Sequence, residues 1–111
     1  MNVTISVDIA LPIDSPEQLE TTLTKLGSFY FSPGNKKFFG SEVLKVWPTA
    51  NGCAWLERIS PGETTYQSSC LVLGPRGYEI HPLARDYDSI GPKAKRLATK
   101  AAEEYANAHP Y

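Results

Sequence analysis

The sequence predicts an α+β fold: an antiparallel meandering sheet of about five or six strands with two helices, in the order β-α-β-β-β-β-β-α. Three observations carry this reading. Apolar residues alternate with period two in several segments between residues 3 and 81; two other segments have helical spacing and helix-forming residues; and the strand-like pieces are joined by turns too short for parallel crossovers. With 111 residues, 41% of them hydrophobic, the chain can bury one modest core and is read as a single domain, residues 1–111.

The first strand is "VTISVDIAL", residues 3–11, with Val3, Ile5, Val7, Ile9 and Leu11 on one side and Thr4, Ser6, Asp8 and Ala10 on the other. "DSPEQLETTLTKLG" then reads as a helix. Ser15 is suited to cap it, Pro16 to its first position, Gln18 to a capping box and Gly27 to its end, with Leu19, Leu23 and Leu26 on one face.

Period two returns after Gly27. "SFYFS" is a short strand, and the stretch "FYFSPGNKKFFGS" sets Phe29, Tyr30, Phe31, Phe38 and Phe39 around a Ser32-Pro33-Gly34-Asn35 turn, as anchors of a hydrophobic corner. "SEVLKVW" follows, and "PTANG", ending in Asn51-Gly52, signals a hairpin into "CAWLERIS". "SPGE" turns the chain into "TTYQSSCLVL", and "GPRG" turns it into "YEIH". In the final segment, "GPKAKRLATKAAEEYANA", Pro92 lies near the start. Leu97, Ala101 and Tyr105, with Ala94, Ala98 and Ala102 beside them, form a small-residue stripe that lets a helix lie close on a sheet.

Composition narrows the function classes. A net charge of -1 and a pI near 6.1 argue against a protein held by generic attraction to phosphate or to an acidic membrane surface. No run of about 18 apolar residues occurs, and Asp8 interrupts the apolar N-terminal segment, so no membrane partner is expected and the protein is read as cytoplasmic. Cys53 and Cys70 fit no common zinc spacing and are expected as reduced, half-buried side chains. Neither a Walker-type loop nor a Rossmann fingerprint is present, and the reading assigns no cofactor and no metal.

Two surfaces attract interest. Lys36 and Lys37 follow the Pro-Gly-Asn turn, where ammonium groups and backbone amides can face an anion or an acidic partner. If the helices cover one sheet face, the other presents a share of Tyr30, Trp47, Trp55, Tyr66 and Tyr78, and Trp and Tyr are the usual anchors of protein interfaces. Lys36, Lys37, Trp47, Trp55, Arg76 and Tyr78 are therefore the expected partner-binding residues. Open sheet edges add a route to a homodimer.

The second surface is the start of the last helix, where Lys93, Lys95, Arg96 and Lys100 cluster. Positive charge at a helix N-terminus opposes the macrodipole, as Glu103 and Glu104 do near the other end, which invites a phosphate or acidic ligand as the reason. A third possibility is chemical: His81 with Glu79, Arg85, Asp86 and Asp88 is the best acid-base cluster for a small hydrolase or nuclease. Neither His81 nor His109 has the spacing of a triad or metal site, so the protein is read as non-enzymatic.

Two resemblances follow from quoted residues. "GPKAKRLATKAAEEYA" resembles the last helix of double-stranded-RNA-binding domains, which implies phosphate contacts from its basic start. More broadly, the Phe-Phe-Gly-Ser element in "FSPGNKKFFGSEVLKVW", the later "RGYEIHPL" and the alanine-rich and lysine-rich last helix are similar to small proteins carried by bacteriophages and other mobile elements. That likeness implies a compact α+β fold and a genetic context, and no chemistry. The expected function is a small non-enzymatic binding protein that occludes a host or defence-system protein, with RNA binding through the basic helix as the alternative.

Overall fold

A computed structural model describes residues 9–27, 37–38, 41–59, 65–85 and 91–111, with backbone alone at 37, 38, 41, 59 and 85. The described elements are α1 (Pro16–Leu26), β1 (Lys37–Phe38), β2 (Ser41–Thr49), β3 (Gly52–Ile59), β4 (Thr65–Gly74), β5 (Gly77–Arg85) and α2 (Gly91–Ala108). The fold is α+β. Four antiparallel strands of eight to ten residues form a meander, β2-β3-β4-β5, and the two-residue β1 pairs with Ser41 and Glu42 at the outer side of β2.

The N-terminal expectations divide. Residues 3–8 and the "SFYFS" segment lie outside the described residues, as does the aromatic corner apart from the backbone of Phe38; residues 9–11 are not strand. The first helix forms as its residues dictate. Gln18 N–H donates to Ser15 Oγ at 3.2 Å, Pro16 opens the helix, and Gly27 closes it in the left-handed conformation at φ 73°. The reciprocal arm lands one residue before the cap: Gln18 Oε1 accepts from the backbone N–H of Asp14 at 2.9 Å.

The two helices lie on opposite faces of the sheet. Leu19 and Leu23 of α1 bury with Ile13 against Val46, Cys53, Trp55 and Leu71. Ala102 of α2 buries against Ala54 and Cys70, with Trp47, Val72, Leu83 and Tyr105 packed around them. Alternation along β3 explains this, since Cys53 and Trp55 face α1 while Ala54, between them, faces α2. Burying one leucine contributes roughly 1.5–3 kcal/mol, so Leu19 and Leu23 alone give α1 a substantial anchor.

This arrangement corrects the expectation of one covered and one open face. Each face of the sheet holds a core, because both inward stripes of β3 and β4 are apolar enough to need covering. Trp55 is the clearest casualty: it is 1% exposed and belongs to the core, so it cannot anchor a partner. The helical stripe also shifts. Ala94, Ala98 and Ala102 are buried, whereas Leu97 is 42% exposed, because the i, i+4, i+8 alanine row centres the contact and turns Leu97 to its flank.

Proline placement follows the ladder. Pro48 and Pro82 sit on β2 and β5, the outer long strands, while β3 and β4 contain none. The β2-β3 hairpin is closed by Ala50 and Asn51, with Asn51 at φ 61°. Gly52 begins β3, where an added Cβ would lie 1.8 Å from the carbonyl oxygen of Leu71. The chain after α2 is tied to this hairpin: Ala50 N–H donates to the His109 carbonyl at 3.0 Å, and Pro110 bridges Thr49.

Candidate functional site

The β4-β5 turn is the most structured of the anticipated surfaces. Gly74 pairs with Gly77, leaving Pro75 and Arg76 to make the bend, and Gly77 adopts φ 128°, which its lack of Cβ permits. Around this tip a concavity of about 340 Å³ is lined by Val72, Gly74, Pro75, Arg76, Gly77, Tyr78 and Glu79. Arg76 is exposed and makes no ion pair among the described residues. Tyr78 is half-buried, packing in part on the core beneath α1.

The six expected partner-binding residues do not form one surface. Lys36 lies outside the described residues, Lys37 is described in its backbone alone, and Trp55 is in the core. Trp47 is half-buried on the α2 face of β2, with the Lys45 ammonium 5.0 Å from its ring centroid in a cation-π contact. Tyr78 leans to the α1 face of β5, across the sheet. Arg76 and Tyr78 are the pair that the structure brings together.

The basic residues of α2 are all exposed. Lys93, Arg96 and Lys100 fall at i, i+3 and i+7 and share one face, opposite the buried alanine row, while Lys95 projects to another side. Lys100 is 3.9 Å from Glu104, a solvent-exposed i,i+4 pair of little energetic weight.

His81 and Glu79 meet on the exposed outer strand, Nε2 to Oε2 at 2.9 Å. The side chain of Arg85, and Asp86 and Asp88, lie outside the described residues, and the His81–Glu79 pair is the part of the acid-base cluster that the structure describes. Among the described residues, no group of three or more His, Cys, Asp or Glu is placed to hold a metal ion.

Two polar arrangements escaped the sequence reading. Glu57 is buried beside Trp55: its Oε1 accepts from Trp55 Nε1 at 3.3 Å and from Gln67 Nε2 at 2.8 Å. The signal was available in "CAWLERI", where Glu57 stands two residues from Trp55 and so on the same face. The other is a thiol-phenol contact. Tyr105 of α2 packs beside Cys70, and burial, followed by interaction with the Cys70 thiol, raises its pKa to about 12. Both cysteines are free and fully buried, more deeply than expected, and burial followed by the proximity of Cys70 pushes the Cys53 thiol up.

A second, smaller cleft of about 190 Å³ lies between residues 9–10 and α1. The hydroxyls of Thr21 and Thr22, which help line it, donate back to the carbonyls of Glu17 and Gln18 within the helix. No helix among the described residues is long and apolar enough to cross a membrane. Compared with protein-family models, curated proteins and solved structures, the chain finds no match.

Proposed function

We propose that the protein is a small non-enzymatic binding protein, phage or mobile-element encoded, that acts by occluding a host or defence-system protein. One observation carries this reading: an exposed arginine without an ion-pair partner among the described residues and a half-buried tyrosine line one concavity at the tip of the β4-β5 hairpin. Arg and Tyr are among the residues that dominate protein interfaces, and a hairpin tip projecting from a two-sided core is held in place by that core. Trp47 offers a separate aromatic contact on the other long edge of the sheet.

The test is capture of the tagged protein from a lysate of its native host, with and without nuclease. A stoichiometric protein partner that survives nuclease, and is lost with a Tyr78→Ala variant shown to remain folded, supports the reading. Capture of no protein, or of one indifferent to both Tyr78→Ala and Trp47→Ala, sinks it.

A second reading is RNA binding, favoured by the shared exposed face of Lys93, Arg96 and Lys100 on α2. It requires binding that weakens steeply with salt, by close to one unit of slope in log K against log salt for each phosphate contact, and that fails when Lys93 and Arg96 are both changed to Ala. Recovery of RNA in the capture experiment, with proteins lost on nuclease treatment, would move the assignment to this helix.

A further inference from the structure

We propose that the notch at the β4-β5 tip takes one side-chain carboxylate of a partner protein together with the apolar residue beside it. This rests on the occluding reading above and names the chemistry of its contact.

The floor of the notch is open backbone. A Cβ on Gly77 would meet nothing within 4 Å, and one on Gly74 only the Gly77 carbonyl oxygen at 3.7 Å. A partner's main chain can therefore approach closely here. Val72 and Pro75 supply apolar wall in a concavity of about 340 Å³, and Tyr78, whose ring leans to the other face, borders it through its backbone.

Arg76 supplies the charge. Its guanidinium is exposed, stands at the bend, and has no carboxylate partner among the described residues. The planar fork of five donors matches a carboxylate in bidentate geometry. Glu79 sets the limit on the ligand. It lines the same notch and its carboxylate is bonded to His81 at 2.9 Å, so every negative group arriving there meets a like charge, and each added charge meets more of it. A single carboxylate is accommodated, whereas an acidic run or a dianionic phosphate is repelled.

The experiment is a titration of the isotopically labelled full chain with the blocked peptide acetyl-Ala-Phe-Glu-Ala-amide, followed by amide chemical shifts, against the same peptide carrying Gln for Glu. Shifts should gather at Gly74, Arg76, Gly77 and Tyr78, with the Gln peptide about tenfold weaker, the scale of one charge-assisted contact. Arg76→Gln should erase the preference and leave the thermal midpoint unchanged, because Arg76 is an exposed turn residue. Equal binding of the two peptides, shifts centred elsewhere, or no shifts with either peptide at millimolar concentration would overturn the proposal. The two readings separate: a captured protein lost with Tyr78→Ala but retained with Arg76→Gln would keep the occluding reading and discard this one.

Discussion

Tyr105 on α2 packs on the small core that Cys70 of β4 forms with Ala54 and Ala102. Apart from this contact, α2 meets the sheet largely through small side chains, Ala94, Ala98 and Ala102, which bring it close and bury little area each. The Tyr105 ring also stacks on His109, centroids 4.2 Å apart, and the Tyr105 carbonyl lies 3.0 Å from both His109 N and His109 Nδ1. One residue thus joins the helix to the sheet and to the segment that fastens the β2-β3 hairpin.

Tyr105→Phe removes the hydroxyl, which interacts with the Cys70 thiol, and leaves the ring. Its cost should be about 1 kcal/mol, the ordinary worth of one net hydrogen bond. Chemical denaturation would register this as a lower midpoint with unchanged slope. A loss below about 0.3 kcal/mol would mean the thiol contact contributes nothing net.

Alkaline pH should destabilise the fold in two overlapping steps. Cys53 and Tyr105 are neutral acids whose folded pKa lies above the unfolded value, so the unfolded chain releases these protons first. Their contribution is complete below the unfolded values and is lost as pH rises through the folded ones. For Tyr105 that window runs from 10.0 to about 12, and Cys53 begins the decline earlier, above about pH 8.5. Thermal midpoints across pH 7–12 measure it, and Cys53→Ala should delay the onset. A midpoint that holds constant through pH 11 would contradict the burial of both groups.

Gly52→Ala should damage the β2-β3 hairpin. The new Cβ would lie 1.8 Å from a backbone oxygen, that of Leu71, which no side-chain rotation relieves. Strands β3 and β4 must separate locally, at a cost on the order of 1–3 kcal/mol. Asn51 O accepts from Leu73 N–H at 2.7 Å beside this point, so hydrogen exchange at Leu73 should accelerate in the variant. Native protection at Leu73 would show that the strands absorb the methyl group.

Ser15→Ala should cost about 1 kcal/mol by leaving the Gln18 N–H without its cap. Ser15→Asp should recover most of it, since a carboxylate also favours a helix N-terminus. Equal stability of all three proteins, measured by urea unfolding, would mean that Gln18 alone organises the start of α1.

How much of this was legible depends on whether a local pattern or a long-range relation decides the outcome. Ser15, Pro16 and Gly27 mark the helix ends by their own backbone chemistry, and the helix appears where they place it. The Pro-Arg bend between Gly74 and Gly77 is local in the same sense. Which face of the sheet each helix covers is not local: Cys53, Ala54 and Trp55 are consecutive, and their period-two pattern says only that neighbours point apart. Reading Trp55 as an exposed anchor followed from placing both helices on one side. A glutamate in a strand is usually solvated, and only the positions of Trp55 and Gln67 reveal Glu57 as an internal acceptor.

The alternation of β3 between two cores has one more consequence, for cooperativity. A single strand forms the party wall of two rooms: Cys53 and Trp55 furnish one, Ala54 the other. Neither room can be emptied while the wall stands undisturbed, since a backbone shift that frees Trp55 also moves Ala54. The two helices, although they share no face, should therefore melt together, and a probe on α1 and a probe on α2 should trace one superimposable unfolding curve.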